Sequence, residues 1–273
     1  MLYLIKYVHK GGRVLKEFKS VSVVISTVNE DSSLRETVST LLETCNHEDI
    51  AELYLLVGSR ATDNCLAAIE DIKANAGDVS VKVFRQSYPG IGADLNEFFM
   101  LPTGSHVMCI SGDGNLDPAQ VHSFIEYAKK NPDYIIVGSR WLDKDGFSGY
   151  DPFKKVLNFA ARIFLSVLYH TDRTEFTQPF QICPIEMFRN IKWEEKMHPL
   201  FIEVMINPIR LGMKSMEIPT QWKKRTDGKP NRNGLYFLPY LKTALHVRFM
   251  KKSDILMPGC TMPDELMKNK AKE

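Results

Sequence analysis

The sequence predicts an α/β chain: a mostly parallel sheet flanked by helices, with an N-terminal β-hairpin leading into it. Three observations predict this. Short apolar runs recur along the chain, and most are followed by a stretch with helical spacing, the alternation that builds βαβ units. The runs end in polar, glycine-bearing turns, and the C-terminal ends of parallel strands are where such sheets bind ligands. Finally, 273 residues with 44% hydrophobic and 25% charged side chains suffice for one large buried core.

The elements follow in order. Leu2 to Val8, a Gly11-Gly12 turn and Val14 to Phe18 read as the hairpin. Val21 to Ser26 is a buried strand, and Ser33-x-x-Glu36 is a capping box for a helix with Leu34, Val38, Leu41 and Leu42 on its apolar face. Leu53 to Val57 is the second strand, Asn64 to Ala74 a helix, and Val79 to Phe84 the third strand. A loop with Gly90 and Gly92 leads into a helix from Asp94 to Leu101. Val107 to Ile110 and Tyr134 to Val137 are the next strands, separated by a helix carrying Val121, Phe124, Ile125 and Ala128.

Beyond Arg140 the alternation changes. Leu142 to Tyr150 is a glycine- and charge-rich mobile loop, Phe153 to Tyr169 a helix with a broad apolar face, and Phe201 to Leu211 another helix. Met216 to Trp222 reads as a strand, Lys223 to Asn233 as a basic loop, and Leu235 to Met250 as a helix interrupted by Pro239. The last twenty or so residues read as a loose tail. The organisation is thus an extension over 1–20, a main domain over 21–233, and a C-terminal helix and tail over 234–273.

A formal charge of +2 excludes a nucleic-acid binder driven by bulk charge. Cys45, Cys65, Cys109, Cys183 and Cys260 are scattered and odd in number, which supports neither a disulfide framework nor a zinc site. No secretory leader and no apolar run of membrane-spanning length is visible, so a cytoplasmic location is expected. The stretch Leu235 to Lys252 mixes Leu, Tyr and Phe with Arg248, Lys251 and Lys252. It reads either as a core-packing helix with a basic end or as a peripheral contact at a membrane.

The segment Cys109-Ile110-Ser111-Gly112-Asp113-Gly114-Asn115-Leu116-Asp117-Pro118 carries the most chemistry. A strand breaks off into carboxylate, amide and carboxylate at Asp113, Asn115 and Asp117, oxygen donors that suit Mg²⁺ or Mn²⁺ held between protein and substrate phosphates. The plainer reading is an Asp-Gly turn followed by Asp117 as N-cap and Pro118 at the first helical position. Asn29 and Glu30 stand just past the first strand, where a carboxylate can accept from a base N–H or a ribose hydroxyl, or simply make a polar turn. Gly90 and Gly92 allow close approach of backbone to a ligand, or a plain turn.

Taken together, these segments resemble the family-two glycosyltransferases, in particular those that transfer sugars to polyprenyl phosphates. The resemblance rests on Val23 to Glu30, on Arg85, Gly90-Ile91-Gly92-Ala93 and Asn96, and on Asp113-Gly114-Asn115 in the place of an Asp-x-Asp motif. It continues through Val137-Gly138-Ser139-Arg140, Glu217-Ile218-Pro219, Arg225 and Gly228. It implies the GT-A fold and an inverting, metal-dependent transfer from a nucleotide-diphosphate sugar to a polyprenyl phosphate or a glycan hydroxyl. It further implies a cation held by Asp113 with Asn115 or Asp117, and donor contacts from Thr27, Asn29, Glu30, Asp63, Gly90, Gly92 and Asn96. Arg225, Lys229 and Arg232 would close over the phosphates, while Ser139, Arg140, Lys154 and Gln178 would serve the acceptor side. A hydroxyl acceptor needs a general base, for which Glu203 is the first candidate and Asp172 the second. Three elements depart from the family pattern. Gly58 and Ser59 stand where an acidic pair is usual, Asn115 replaces a carboxylate, and Thr177-Gln178-Pro179-Phe180 alters the acceptor element. Those departures leave open an inert nucleotide-sugar-binding module. A nucleotidyltransferase ranks lower, because no Gly-rich, Lys/Arg-bearing loop follows the first strand.

Overall fold

The computed structural model describes residues 17–224 and 237–267. One sheet runs through it, built from β1 (Val21–Thr27), β2 (Ile50–Val57), β3 (Val81–Arg85), β4 (His106–Ser111), β5 (Ile135–Ser139), β6 (Gln181–Pro184) and β7 (Ser215–Pro219). Their spatial order is β3-β2-β1-β4-β6-β5-β7. Every neighbouring pair is parallel except those made by β6, which runs antiparallel to both β4 and β5.

Period-two alternation along the strands sends side chains to two cores. On one face, Val23, Ile25, Met108 and Ile110 pack against α1 (Ser32–Thr44), α2 (Asp63–Asn75) and α4 (Val121–Lys130), whose Leu34, Leu41, Ile69, Phe124 and Ile125 are buried. The other face carries Val24, Val107, Val137 and Cys183. It is covered by α3 (Leu95–Phe98), α5 (Pro152–Tyr169), α6 (Ile185–Asn190), α7 (Leu200–Leu211) and α8 (Phe237–Phe249). Each fully buried Leu, Ile or Phe contributes about 1.5–3 kcal/mol against its exposed state, so the two cores fix the strand ends that bear the polar turns.

Several expectations need correction. The capping box does not form: Asp31 is the N-cap and makes no side-chain cap bond, and Ser33 lies inside α1. Its hydroxyl instead donates to the Gly112 carbonyl at 2.8 Å, tying α1 to the turn after β4. The helix after the glycine loop is only Leu95–Phe98, and the strand expected over Met216 to Trp222 ends at Pro219. β6 was not foreseen at all. The C-terminal segment is packed rather than loose as far as Met267: Ile255 and Leu266 are buried, and Leu256 and Met267 bridge to Ile191 and Met213. Irregular backbone has no period, so its apolar residues give no signal in sequence. The N-terminal hairpin lies outside the described residues except for exposed Glu17 and for Phe18, which packs against the core.

Candidate active site

The strand order reverses at β1, whose neighbours are β2 on one side and β4 on the other. Ligands bind at such switch points, in the crevice beyond the strand C-termini. β1 and β4 run in register up to Ser26 opposite Ser111, and the Gly112 N–H donates to the Ser26 carbonyl at 3.0 Å. The turns carrying Glu30 and Asp113 therefore leave the sheet side by side.

Glu30 is buried, and one of its oxygens, Oε2, accepts from the backbone N–H of Val28 at 2.6 Å, from that of Asn29 at 3.0 Å and from the Thr27 hydroxyl at 3.0 Å. A carboxylate on two consecutive backbone N–H groups fixes the turn. Asn29 stays exposed at its tip. Asp63 is exposed at the first position of α2, and the preceding Thr62 N–H bonds the Val28 carbonyl at 3.0 Å, so both belong to the same rim.

Asp113 is 4% exposed. Its Oδ1 accepts the Asn115 backbone N–H at 3.0 Å and its Oδ2 the Asn115 side-chain amide at 2.8 Å. That geometry leaves Asn115 Oδ1 buried with no hydrogen-bond partner. A buried carboxylate next to an orphaned amide oxygen is a donor set that fits a hard divalent cation, which draws its remaining ligands from water and phosphate. No group of three His, Cys, Asp or Glu that could hold a metal occurs among the described residues. Asp117 is differently engaged. Its side chain accepts from the Ala119 N–H and pairs with Lys223 Nζ at 2.9 Å, as a helix cap does. Lys223 itself starts the basic segment, and its backbone N–H donates to the Asn115 carbonyl at 2.9 Å.

The β5 side is held by two further carboxylates. Arg140 is 3% exposed and forms a two-pronged pair with Glu175, Nε and Nη2 each 2.8 Å from a carboxylate oxygen, while Nη2 also donates to Thr177 Oγ1 at 2.6 Å. Burial works against both charges, but each partner outweighs it, so the Glu175 pKa is lowered and that of Arg140 raised. Arg140 was expected to present a free cation to an acceptor; here its charge is matched internally. Ser139 is likewise engaged, with Thr174 Oγ1 at 2.6 Å and the Trp141 N–H at 3.2 Å. Glu217 grips the backbone N–H groups of Thr174 and Glu175. Gln178 and Gln181 are buried with both side-chain polar atoms unpartnered, and Gln181 lies opposite Cys109, near the β4 end that bears Asp113.

Gly90 and Gly92 meet the protein itself. A Cβ on Gly92 would stand 1.9 Å from the Glu195 carbonyl, and one on Gly90, where φ is +122°, would stand 2.2 Å from that of Lys196. The Gly92 N–H donates to the Lys196 carbonyl at 3.0 Å, and Asn96 exchanges two 2.9 Å bonds with the Trp193 backbone. The glycine loop thus docks on residues 193–196. Glu203, 3% exposed on α7, holds that segment from behind by accepting the Glu194 and Glu195 N–H groups at 3.0 Å each. Burial pushes its pKa up to about 7 against those two bonds, with the Glu195 and Glu194 charges adding to the rise.

Asp172 is exposed, and Lys154 is an exposed residue of α5. Arg225, Lys229 and Arg232 lie outside the described residues. Burial raises the Cys109 thiol to about 12, which removes it as a nucleophile. Sequence reasoning missed Glu175, Gln181 and Lys223; only the order of residues around Arg140 and the basic run hinted at two of them.

The mostly parallel seven-stranded sheet, with its switch-point crevice and an acidic–amide turn on one side, has the GT-A architecture. The sequence profile described as Glycosyl transferase family 2 matches residues 22–190, more than half of the chain, and the protein belongs to that family and is a glycosyltransferase. Among solved structures it is similar to glucosyl-3-phosphoglycerate synthase from Mycobacterium tuberculosis in complex with Mn²⁺, UDP and phosphoglyceric acid, with a TM-score of 0.61 and 16% identity over 90% of this chain and 86% of that one. The complex of that enzyme with Mn²⁺, UDP-glucose and phosphoglyceric acid gives a TM-score of 0.62 at 16% identity, covering 90% and 88%. Its complex with Mg²⁺ and UDP gives 0.55 at 17% identity, covering 80% and 78%. At these identities the likeness establishes the fold.

Proposed function

We propose that the protein transfers a sugar, with inversion, from a nucleotide diphosphate to an acceptor, and that Asp113 with Asn115 holds the divalent cation the reaction uses. The observation that carries this is the buried Asp113 carboxylate beside the orphaned Asn115 oxygen at the switch point. A bound Mg²⁺ or Mn²⁺ would act there as a Lewis acid on the leaving diphosphate. The solved relatives crystallised with UDP and Mn²⁺ or Mg²⁺ support the same reading. Thr27, Asn29, Glu30 and Asp63 would line the nucleoside end, since they share the rim beyond β1 and α2. Arg225, Lys229 and Arg232, which follow Lys223 in the sequence, would serve the donor phosphates.

On the acceptor side, Glu203 spends both oxygens on the 194–195 backbone. That supports an acceptor which brings its own oxyanion, a polyprenyl phosphate, over a glycan hydroxyl that needs a base. The test is release of nucleoside diphosphate from UDP- and GDP-sugars with Mn²⁺, with and without chelator, for the wild type and Asp113→Ala. Metal-dependent release by the wild type alone is expected; equal release by the variant would overturn the assignment.

A further inference from the structure

α5 is turned inside out. Over its 18 residues only Leu165 and Tyr169 are buried. Phe153, Val156, Leu157, Ile163, Phe164 and Val167 are 41–72% exposed. Their spacing of i, i+3, i+4, i+10, i+11 and i+14 puts all six on one stripe, the arrangement that normally faces a core. A helix of this length presents that stripe over about 27 Å. α8, which packs with α5 and α7, repeats the pattern: Leu238, Leu245 and Phe249 are exposed while Ala244 and Val247 face inward.

The charge carried by the two helices themselves is basic. α5 carries Lys154 beside the stripe and α8 carries Lys242, followed by exposed Lys251 and Lys252. Lys155 and Arg162 lie on the other side of α5, over the Phe147 and Trp141 rings, and Arg248 donates to the Leu168 carbonyl at 2.7 Å. Neither helix contains an Asp or Glu, although the chain as a whole has 33 against 35 basic residues. No described helix is long and apolar enough to cross a membrane.

We propose that α5, with the outer side of α8, is a docking surface for an anionic lipid bilayer. Apolar side chains enter the headgroup–acyl boundary while Lys154, Lys242, Lys251 and Lys252 meet lipid phosphates. The proposal rests on this surface alone and does not depend on the transfer reaction.

The test is flotation of the full chain with phosphatidylcholine vesicles, plain or doped with phosphatidylglycerol, beside the variant Phe153→Gln/Val156→Gln/Ile163→Gln/Val167→Gln. The wild type should float with the anionic vesicles, stay behind with the plain ones, and come off as salt rises. The variant should bind at least about tenfold more weakly with an unchanged melting curve, since all four side chains are exposed. Absence of flotation, or equal flotation of the variant, would overturn the proposal. So would light scattering that shows a dimer which the variant splits.

Discussion

Glu203 and His106 make the stability of this protein depend on pH in opposite directions. Burial raises the Glu203 carboxyl from 4.5 to about 7, so the folded state holds a proton that the unfolded chain has already lost. Its contribution is complete below pH 4.5 and lost as pH rises through about 7. His106 is fully buried, with its ring bonded to the Pro132 carbonyl at 2.9 Å, and burial lowers it from 6.5 to about 4. Its contribution is complete above pH 6.5 and lost as pH falls through about 4. Each displacement corresponds to about 3 kcal/mol, so in the wild type the two nearly cancel across the shared window. Glu203→Gln removes one arm. The variant loses one of the two 3.0 Å bonds to the 194–195 backbone, costing about 1 kcal/mol, and its stability should then climb by about 3 kcal/mol from pH 4 to 6.5. Urea unfolding of both proteins between pH 4 and 8 measures this, and the difference between the curves removes every group they share. Parallel curves would refute the buried, proton-holding state of Glu203. Turnover of the same variant bears on the acceptor: little loss accords with a phosphate, a large loss with a hydroxyl.

Asp113→Ala should abolish metal-stimulated turnover and lower stability by at least about 1 kcal/mol, since its bonds to the Asn115 backbone and amide are lost; circular dichroism melts and isothermal titration with Mn²⁺ check both halves. Gly92→Ala should cost about 1–3 kcal/mol by overpacking, because its Cβ would meet the Glu195 carbonyl at 1.9 Å; thermal melts read this directly. Arg140→Ala should cost about 3–5 kcal/mol by stranding buried Glu175, and Arg140→Met/Glu175→Gln should recover a large part of it, a double-mutant comparison that fails if the single and double variants melt together.

How much of this was legible follows from what each residue does. Strands and helices with a strict period could be read because Val23, Ile25, Leu34 and Leu41 repeat at the spacing their elements impose. β6 could not be read, because Gln181 to Pro184 is four residues long and gains its strand character only by lying between β4 and β5. The turn at Asp113 could be read both as oxygen donors for a cation and as a capped turn, and Asp117 takes the cap. Glu203 and Asn96 were legible as polar residues in suggestive places and no further, since their partners are the backbone of residues 193–195, far from Asn96 in sequence.

The same physical device recurs around the crevice and explains why carboxylates mislead a reader of the sequence. Glu30 holds the N–H groups of Val28 and Asn29, Glu175 those of Phe176 and Thr177, Glu203 those of Glu194 and Glu195, and Glu217 those of Thr174 and Glu175. In each case one carboxyl group satisfies two consecutive donors that an irregular loop would otherwise leave unpaired, a cost of about 1–3 kcal/mol per orphaned group. Loops fixed this way lose little freedom when a ligand arrives, so the crevice is shaped before binding. Asp113 shares the motif only in part: it clamps Asn115 yet leaves that residue's amide oxygen buried and unanswered. A carboxylate that only pins its loop is a strut, and one that stands beside a buried, unpartnered amide oxygen is the place to look for chemistry.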